Sequence, residues 1–216
     1  MKAKDYYDQK ESSSSYDDKY LFGKSYFDNL FDEDIVRDFG KKIVPNKAVL
    51  EVGSFTGRIS KKLEKLNIIF DQCDIHEEPL YKSNKSNKYF QLNLSAEKST
   101  KIKKYKYDLI ICIGHQVSFS NDVNLAIQNL YDLLNDGGTL VFDIWQKSSI
   151  NPLPDYTIQR CSRDEVSEIL LKNSFKINKI IYGQTFFYHF SDLVKNYFFP
   201  RLLRTKNLKK NLLFNG

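Results

Sequence analysis

The sequence predicts one α/β domain built on a parallel sheet, and three observations carry that prediction. Ala48 to Leu66 reads as strand, glycine turn and helix: Val49, Leu50 and Val52 form a short apolar run, glycines follow at 53 and 57, and Ile59, Leu63 and Leu66 recur at helical spacing. Tyr107 to Ile113 is a nearly continuous apolar run, as a central parallel strand buried on both faces requires. Between them, Ile68 to Asp74 reads as a strand closed by a carboxylate 21 residues after Gly53. An acid ~20 residues after such a turn is placed to meet the ribose of a ligand held there.

Composition bounds the class. The chain has 216 residues, 41% hydrophobic and 14% aromatic, enough apolar material for one full core. No run approaches the ~18 apolar residues of a membrane span, and the start Met1-Lys2-Ala3-Lys4-Asp5 lacks the apolar stretch of a secretory leader, so a cytoplasmic protein is expected. Cys73, Cys112 and Cys161 are widely spaced and odd in number. They read as buried thiols, with neither a disulfide framework nor a metal site expected.

The net charge of +6 is unevenly placed. Six basic residues and no acid follow from Lys195 onward, which leaves 27 of each sign in residues 1–194. No nucleic-acid surface is therefore expected across the main domain. In residues 191–216 the cations are interleaved with Tyr197, Phe198, Phe199, Leu202, Leu203, Leu208, Leu212 and Leu213, and Pro200 divides the segment. It reads as a basic amphipathic extension that would hold the chain at the inner face of an anionic membrane. Packing on the domain as a lid, or contact with nucleic acid, are the alternatives for it.

In chain order, residues 1–47 form a polar N-terminal segment, with Ser12 to Ser15 flanked by tyrosines, and then helical spacing of Phe27, Leu30, Phe31, Ile35 and Phe39. Lys82 to Lys88 reads as a solvated loop before a third strand, Tyr89 to Leu94. Asp108 falls at the N-terminal end of the fourth strand, away from where open α/β sheets bind ligands. Leu125 to Leu134 is an amphipathic helix stopped by Asn135-Asp136-Gly137-Gly138, and Thr139 to Trp145 is a fifth strand. Ser162-Arg163-Asp164-Glu165 has the capping-box pattern and opens a helix through Leu171. Phe175 to Tyr182 and Gln184 to Phe190, joined at Gly183, read as an antiparallel hairpin.

The glycine turn carries the functional signal. It lets a ligand approach the backbone at Gly53 and Gly57 and aims helix-start N–H groups at an anionic group, which implies a nucleotide-like ligand. A dinucleotide fingerprint would need glycines where Phe55 and Arg58 stand.

Glu51-Val52-Gly53-Ser54-Phe55-Thr56-Gly57 instead resembles motif I of the class I S-adenosylmethionine-dependent methyltransferases, Glu-x-Gly-x-Gly-x-Gly, with Phe55 at the middle glycine. Asp74 matches the acid of motif II, and Leu134 to Leu140, after the helix, resembles motif III with Asn135-Asp136 in place of Lys-Pro. The resemblance covers residues 48–190. It implies a Rossmann-like, mostly parallel seven-stranded sheet with helices on both faces and an antiparallel last strand. It implies S-adenosyl-L-methionine as cofactor, held by Glu51, Gly53, Ser54, Phe55, Gly57, Asp74, Ile75, Asn93, Leu94 and Ile113, with Asp74 accepting from both ribose hydroxyls and Asn93 from the adenine amino group. Tyr16 and Tyr20 of the N-terminal segment would fold over the site, and Asp143 and Trp145 would border the acceptor pocket.

His115, just after the fourth strand, is the candidate base, because an imidazole titrates near neutrality; packing or a bond to a backbone carbonyl is the alternative. The function implied is methyl transfer to an oxygen or nitrogen of a small or lipid-linked acceptor, such as a sugar or glycolipid precursor. A non-catalytic cofactor-binding protein, or a methyltransferase acting on nucleic acid or protein, is the rival. Nucleic-acid amino-methyltransferases resemble Asp/Asn-Pro-Pro-aromatic after strand four, where this chain has Ile113-Gly114-His115-Gln116.

Overall fold

Apolar β-strands that alternate their side chains between two helical layers set the architecture. The computed structural model describes Val36 and residues 47–96, 104–114, 116–147 and 159–180. Lys179 and Ile180 apart, these belong to one compact unit. Strands β1 (Val49–Val52), β2 (Phe70–Asp74), β3 (Ser86–Gln91), β4 (Tyr107–Cys112) and β5 (Leu134–Phe142) form a sheet in the order β3-β2-β1-β4-β5. Every pairing is parallel.

Three helices are present among the described residues: α1 (Ser60–Lys65), α2 (Val123–Tyr131) and α3 (Arg163–Lys172). Val49 of β1 and Leu109 and Ile111 of β4 pack with Ile59 and Leu63 on one face. Leu50, Val52, Ile110 and Cys112 turn to the other face, against Ala126, Ile127 and Leu130 of α2 and Leu170 of α3. Fully burying a Leu or Ile side chain is worth about 1.5–3 kcal/mol, so the two clusters fix the register of the central strands. Cys73, Cys112 and Cys161 are buried free thiols.

Capping follows the sequence pattern. Asp122 accepts from the N–H groups of Asn124 and Leu125 at the start of α2. Ser162 Oγ accepts from Glu165 N at 3.2 Å while Glu165 Oε2 accepts from Ser162 N at 2.7 Å, so the α3 box is reciprocal. Asp108 staples the N-terminal edge of the sheet, accepting from Ala48 N and Asn135 Nδ2, each at 2.9 Å.

Several expectations change. Five parallel strands make up the sheet among the described residues; the antiparallel last strand of the expected seven falls at residues 184–190, which lie outside them. Phe175 to Ile180 carries no strand, although Phe175 and Ile177 pack against the core, and the rest of the expected hairpin lies outside the described residues. Lys82 to Lys88 is not all loop: β3 begins at Ser86, whose neighbour across the ladder is Phe70. The β5 ladder begins before the glycine pair, with Leu134 opposite Tyr107 and Thr139 opposite Leu109, so Asn135 to Gly138 bulges out of register between them. Gly137, at φ +72°, makes that excursion possible. Residues 191–216, and 1–47 apart from Val36 and Lys47, lie outside the described residues.

Candidate active site

The order of the strands places the site. Chain progression from β1 runs outward through β2 to β3, then returns to β4 on the other side of β1, so the carboxyl ends of β1 and β4 form the switch point where open α/β sheets bind ligands. The glycine turn follows β1, and Ile113 to Ser118 follows β4.

Glu51 lies beneath the turn, on the α1 face of β1. Its side chain is 2% exposed. Oε1 accepts from Ser60 N at 3.2 Å, Oε2 accepts from Ser60 Oγ, and Ser60 Oγ in turn accepts from Gln72 Nε2 at 2.8 Å. Gln72 Oε1 accepts from Ser83 N at 3.1 Å. The acid thus satisfies an orphan N–H at the start of α1, a helix with no side-chain cap of its own, and ties β1 to β2. Burial pushes its pKa up to about 8, against the lowering influence of the Ser60 bonds and Arg58.

The turn spends its own donors. Gly53 N and Ser54 N both donate to Cys73 O, Gly57 N donates to Ser54 O, and Phe55 N donates to Asp74 Oδ2 at 3.0 Å. The expectation of free helix-start N–H groups aimed at an anion is corrected as well: Ser60 N donates to Glu51, Lys61 N to Gly57 O and Lys62 N to Ile59 O, while β2 and the turn itself engage the turn's own donors. Such a turn is ill suited to a phosphate, whereas an adenosyl sulfonium brings none. Ser54 Oγ is buried and has no hydrogen-bond partner among the described residues. It is a polar atom available to a ligand, so the turn fits the expected cofactor at that point.

The two glycines differ in what covers them. A Cβ on Gly57, at φ +75°, would run into the ring of Tyr81. Tyr81 is pinned there, its hydroxyl donating to Glu64 Oε2 at 2.7 Å and its ring carrying Lys61 Nζ at 4.8 Å. A Cβ on Gly53, at φ +78°, would run into the side chain of Gln116. The expectation that both glycines leave room for a ligand is therefore corrected: protein side chains fill both places. Gln116 can yield, since no hydrogen bond holds its amide among the described residues.

Asp74 closes β2, 6% exposed. Oδ1 faces His76, with Nδ1 at 2.7 Å and the backbone N at 3.3 Å, and the His76 and Phe55 ring centroids are 5.9 Å apart. Phe55 has φ +33°, the left-handed region that the family's glycine would occupy freely. Ile75 is half-buried, its carbonyl accepting from Gln91 Nε2 at 3.1 Å. Asn93 is exposed and its Oδ1 already accepts from Ser95 N at 2.9 Å. Leu94 and Ile113 send their side chains into the two core clusters.

Across the switch point, Gly114 N donates to both oxygens of Asp143, at 3.0 and 3.2 Å. Arg58 Nη2 and Gln116 Nε2 come within 3.5 and 3.6 Å of where a Gly114 Cβ would stand. Trp145 is 8% exposed, its backbone N–H donating to Ser118 Oγ at 2.8 Å and its carbonyl accepting from Cys161 N at 3.1 Å. His115, Tyr16 and Tyr20 lie outside the described residues.

Sequence reasoning missed His76, Gln116, Tyr81 and Ser60. His76 could have been found from its place two residues past the ribose acid, and Gln116 from its place beside His115. Tyr81 and Ser60 carry no motif; their roles exist only once β1, α1 and β2 are packed.

Residues 50–140 match the family model of a methyltransferase domain. No curated protein matches the chain in sequence. The fold is similar to that of magnesium protoporphyrin IX methyltransferase from Synechocystis PCC 6803 with bound S-adenosylmethionine: TM-score 0.61, 16% identity, covering 87% of this chain and 93% of that one. The same enzyme with bound S-adenosylhomocysteine gives a TM-score of 0.54 at 16% identity over 74% of this chain and 78% of that one. A Thermotoga maritima S-adenosylmethionine-dependent methyltransferase, described as a possible histamine N-methyltransferase, gives 0.55 at 16% identity over 74% and 76%.

Proposed function

We propose that the chain, whose residues 50–140 match a methyltransferase-domain model, is a class I S-adenosylmethionine-dependent methyltransferase that transfers the methyl group to an oxygen or nitrogen of a small-molecule acceptor at the β1/β4 switch point. The observation that carries this reading is the meeting of the two segments there: Gln116, from the segment after β4, lies on Gly53 of the turn after β1. When bound, the cofactor supplies a methyl group on a positively charged sulfur, a group already activated toward displacement. The protein's task is then mostly to position and to exclude water.

Asp74 would hold the ribose, Ser54 Oγ would offer a hydrogen bond from the turn, and Glu51 keeps α1 seated against β1. Asp143 holds Gly114 by its N–H and so fixes the start of the segment that carries His115. His115 takes the acceptor's proton. The acceptors named for the two neighbouring proteins, a magnesium porphyrin and histamine, are small molecules, which favours that class over a lipid-linked one.

The test has two stages. Calorimetry with S-adenosylhomocysteine measures cofactor binding, and labelled S-adenosylmethionine is then offered with panels of small amines, alcohols, phenols and carboxylates. Turnover of one panel is expected, with His115→Ala lowering the rate by ~10²-fold or more and leaving cofactor affinity nearly unchanged. Binding without turnover on every panel would make the chain a cofactor-binding protein. A His115→Ala rate within about threefold of wild type would assign the imidazole to packing.

A further inference from the structure

We propose that His76 makes Asp74 a reader of one ribose hydroxyl rather than two, a specificity role that rests on the cofactor assignment above. A carboxylate offers about four lone-pair sites, two on each oxygen. Asp74 Oδ1 has both of its sites engaged by His76, through Nδ1 at 2.7 Å and the backbone N–H at 3.3 Å. Oδ2 has one site engaged by Phe55 N–H at 3.0 Å. One acceptor site is left for a ribose that brings two adjacent hydroxyls.

The arrangement is held from several sides, so a small turn of the Asp74 side chain does not release it. His76 and Asp74 side chains are 15% and 7% exposed. The His76 carbonyl accepts from Tyr89 Oη at 2.9 Å, and the preceding carbonyl, of Ile75, accepts from Gln91 Nε2 at 3.1 Å, so β3 anchors this loop at two successive residues. On the other side stands the Phe55 ring, tilted 35° to the imidazole. In the imidazole–carboxylate pair the ring nitrogen donates, because an ionised carboxylate only accepts, and such charge-assisted bonds are among the stronger ones in proteins.

Phe55 and His76 thus act together. Phe55 supplies the backbone N–H on Oδ2 and a ring beside the imidazole; His76 occupies Oδ1. The N–H of residue 55, which any residue there would supply, and the histidine two residues past the acid converge on one carboxylate, with the Phe55 ring set against the imidazole. Together they narrow what it can recognise.

Calorimetry on the full chain with S-adenosylhomocysteine and its 2′-deoxy and 3′-deoxy analogues tests this. In wild type, one analogue should bind ~10-fold or more weakly than the parent and the other within about threefold of it. In His76→Ala, with the imidazole's site on Oδ1 open, both analogues should lose ~10-fold against the parent. His76→Asn, whose amide can donate to Oδ1, should restore the one-sided pattern. Equal losses for both analogues in wild type, no loss for either, or a one-sided pattern that persists in His76→Ala would overturn the proposal. If His76→Ala does not fold, the wild-type pair of analogues decides alone. Failure of the parent compound to bind would instead remove the cofactor assignment itself.

Discussion

Replacing Glu51 by Gln isolates the electrostatic cost of keeping a carboxyl group under the glycine turn. Burial raises its pKa from 4.5 to about 8. Between those values the folded chain holds a proton that the unfolded chain has released, so stability is fully present below pH ~4.5 and is lost as pH rises through ~8. At about 1.36 kcal/mol per pH unit, that window sets a ceiling of about 5 kcal/mol. Buried sites respond as if their effective dielectric were ~20, so about half of the ceiling is expected. Gln keeps both contacts, its oxygen accepting from Ser60 N–H and its nitrogen donating to Ser60 Oγ, but it cannot titrate. Urea unfolding of both proteins at about pH 5.5, 6.5 and 7.5 gives the assay, and groups common to both drop out of the difference. Wild type should lose about 1–2 kcal/mol relative to Glu51→Gln between the lowest and highest pH. A difference constant to within ~0.3 kcal/mol would refute the buried-carboxyl reasoning.

Three further outcomes are expected. Gly57→Ala should destabilise by about 2–5 kcal/mol in urea, because the site combines a left-handed backbone with a pinned Tyr81 ring where the methyl would go. Gln116→Ala should tighten S-adenosylhomocysteine binding by ~3–10-fold in calorimetry, since the amide that covers Gly53 no longer has to be displaced; weakened binding would make Gln116 a cofactor contact instead. Ser162→Ala removes one half of the α3 capping box and should cost about 1 kcal/mol, seen as a melting point lower by roughly 2–4 °C.

Local signals in the sequence determined the strand–turn–helix at Ala48–Leu66, the buried central strand from Tyr107, the capping box at Ser162 and the acid at Asp74. Each is a pattern within a dozen or so residues, where side-chain period and caps act on the chain without help from distant partners. The motifs also carried the resemblance to the methyltransferases, and residues 50–140 match a methyltransferase-domain model. What lay beyond them was tertiary. Whether Asn135 to Gly138 ends a helix or bulges within a strand depends on β4 being there to pair with Leu134 and Thr139.

The same holds in the site. Glycines at 53 and 57 are equally legible as turn residues, yet only packing brings Tyr81 onto one and Gln116 onto the other. Asp74 could be placed from its spacing, but its remaining hydrogen-bonding capacity could not, because that depends on a turn 19 residues before it and on the histidine two residues after it. Sequence spacing determines which groups can meet at the end of a sheet; which lone pairs stay open is decided by the packed neighbours that reach them first.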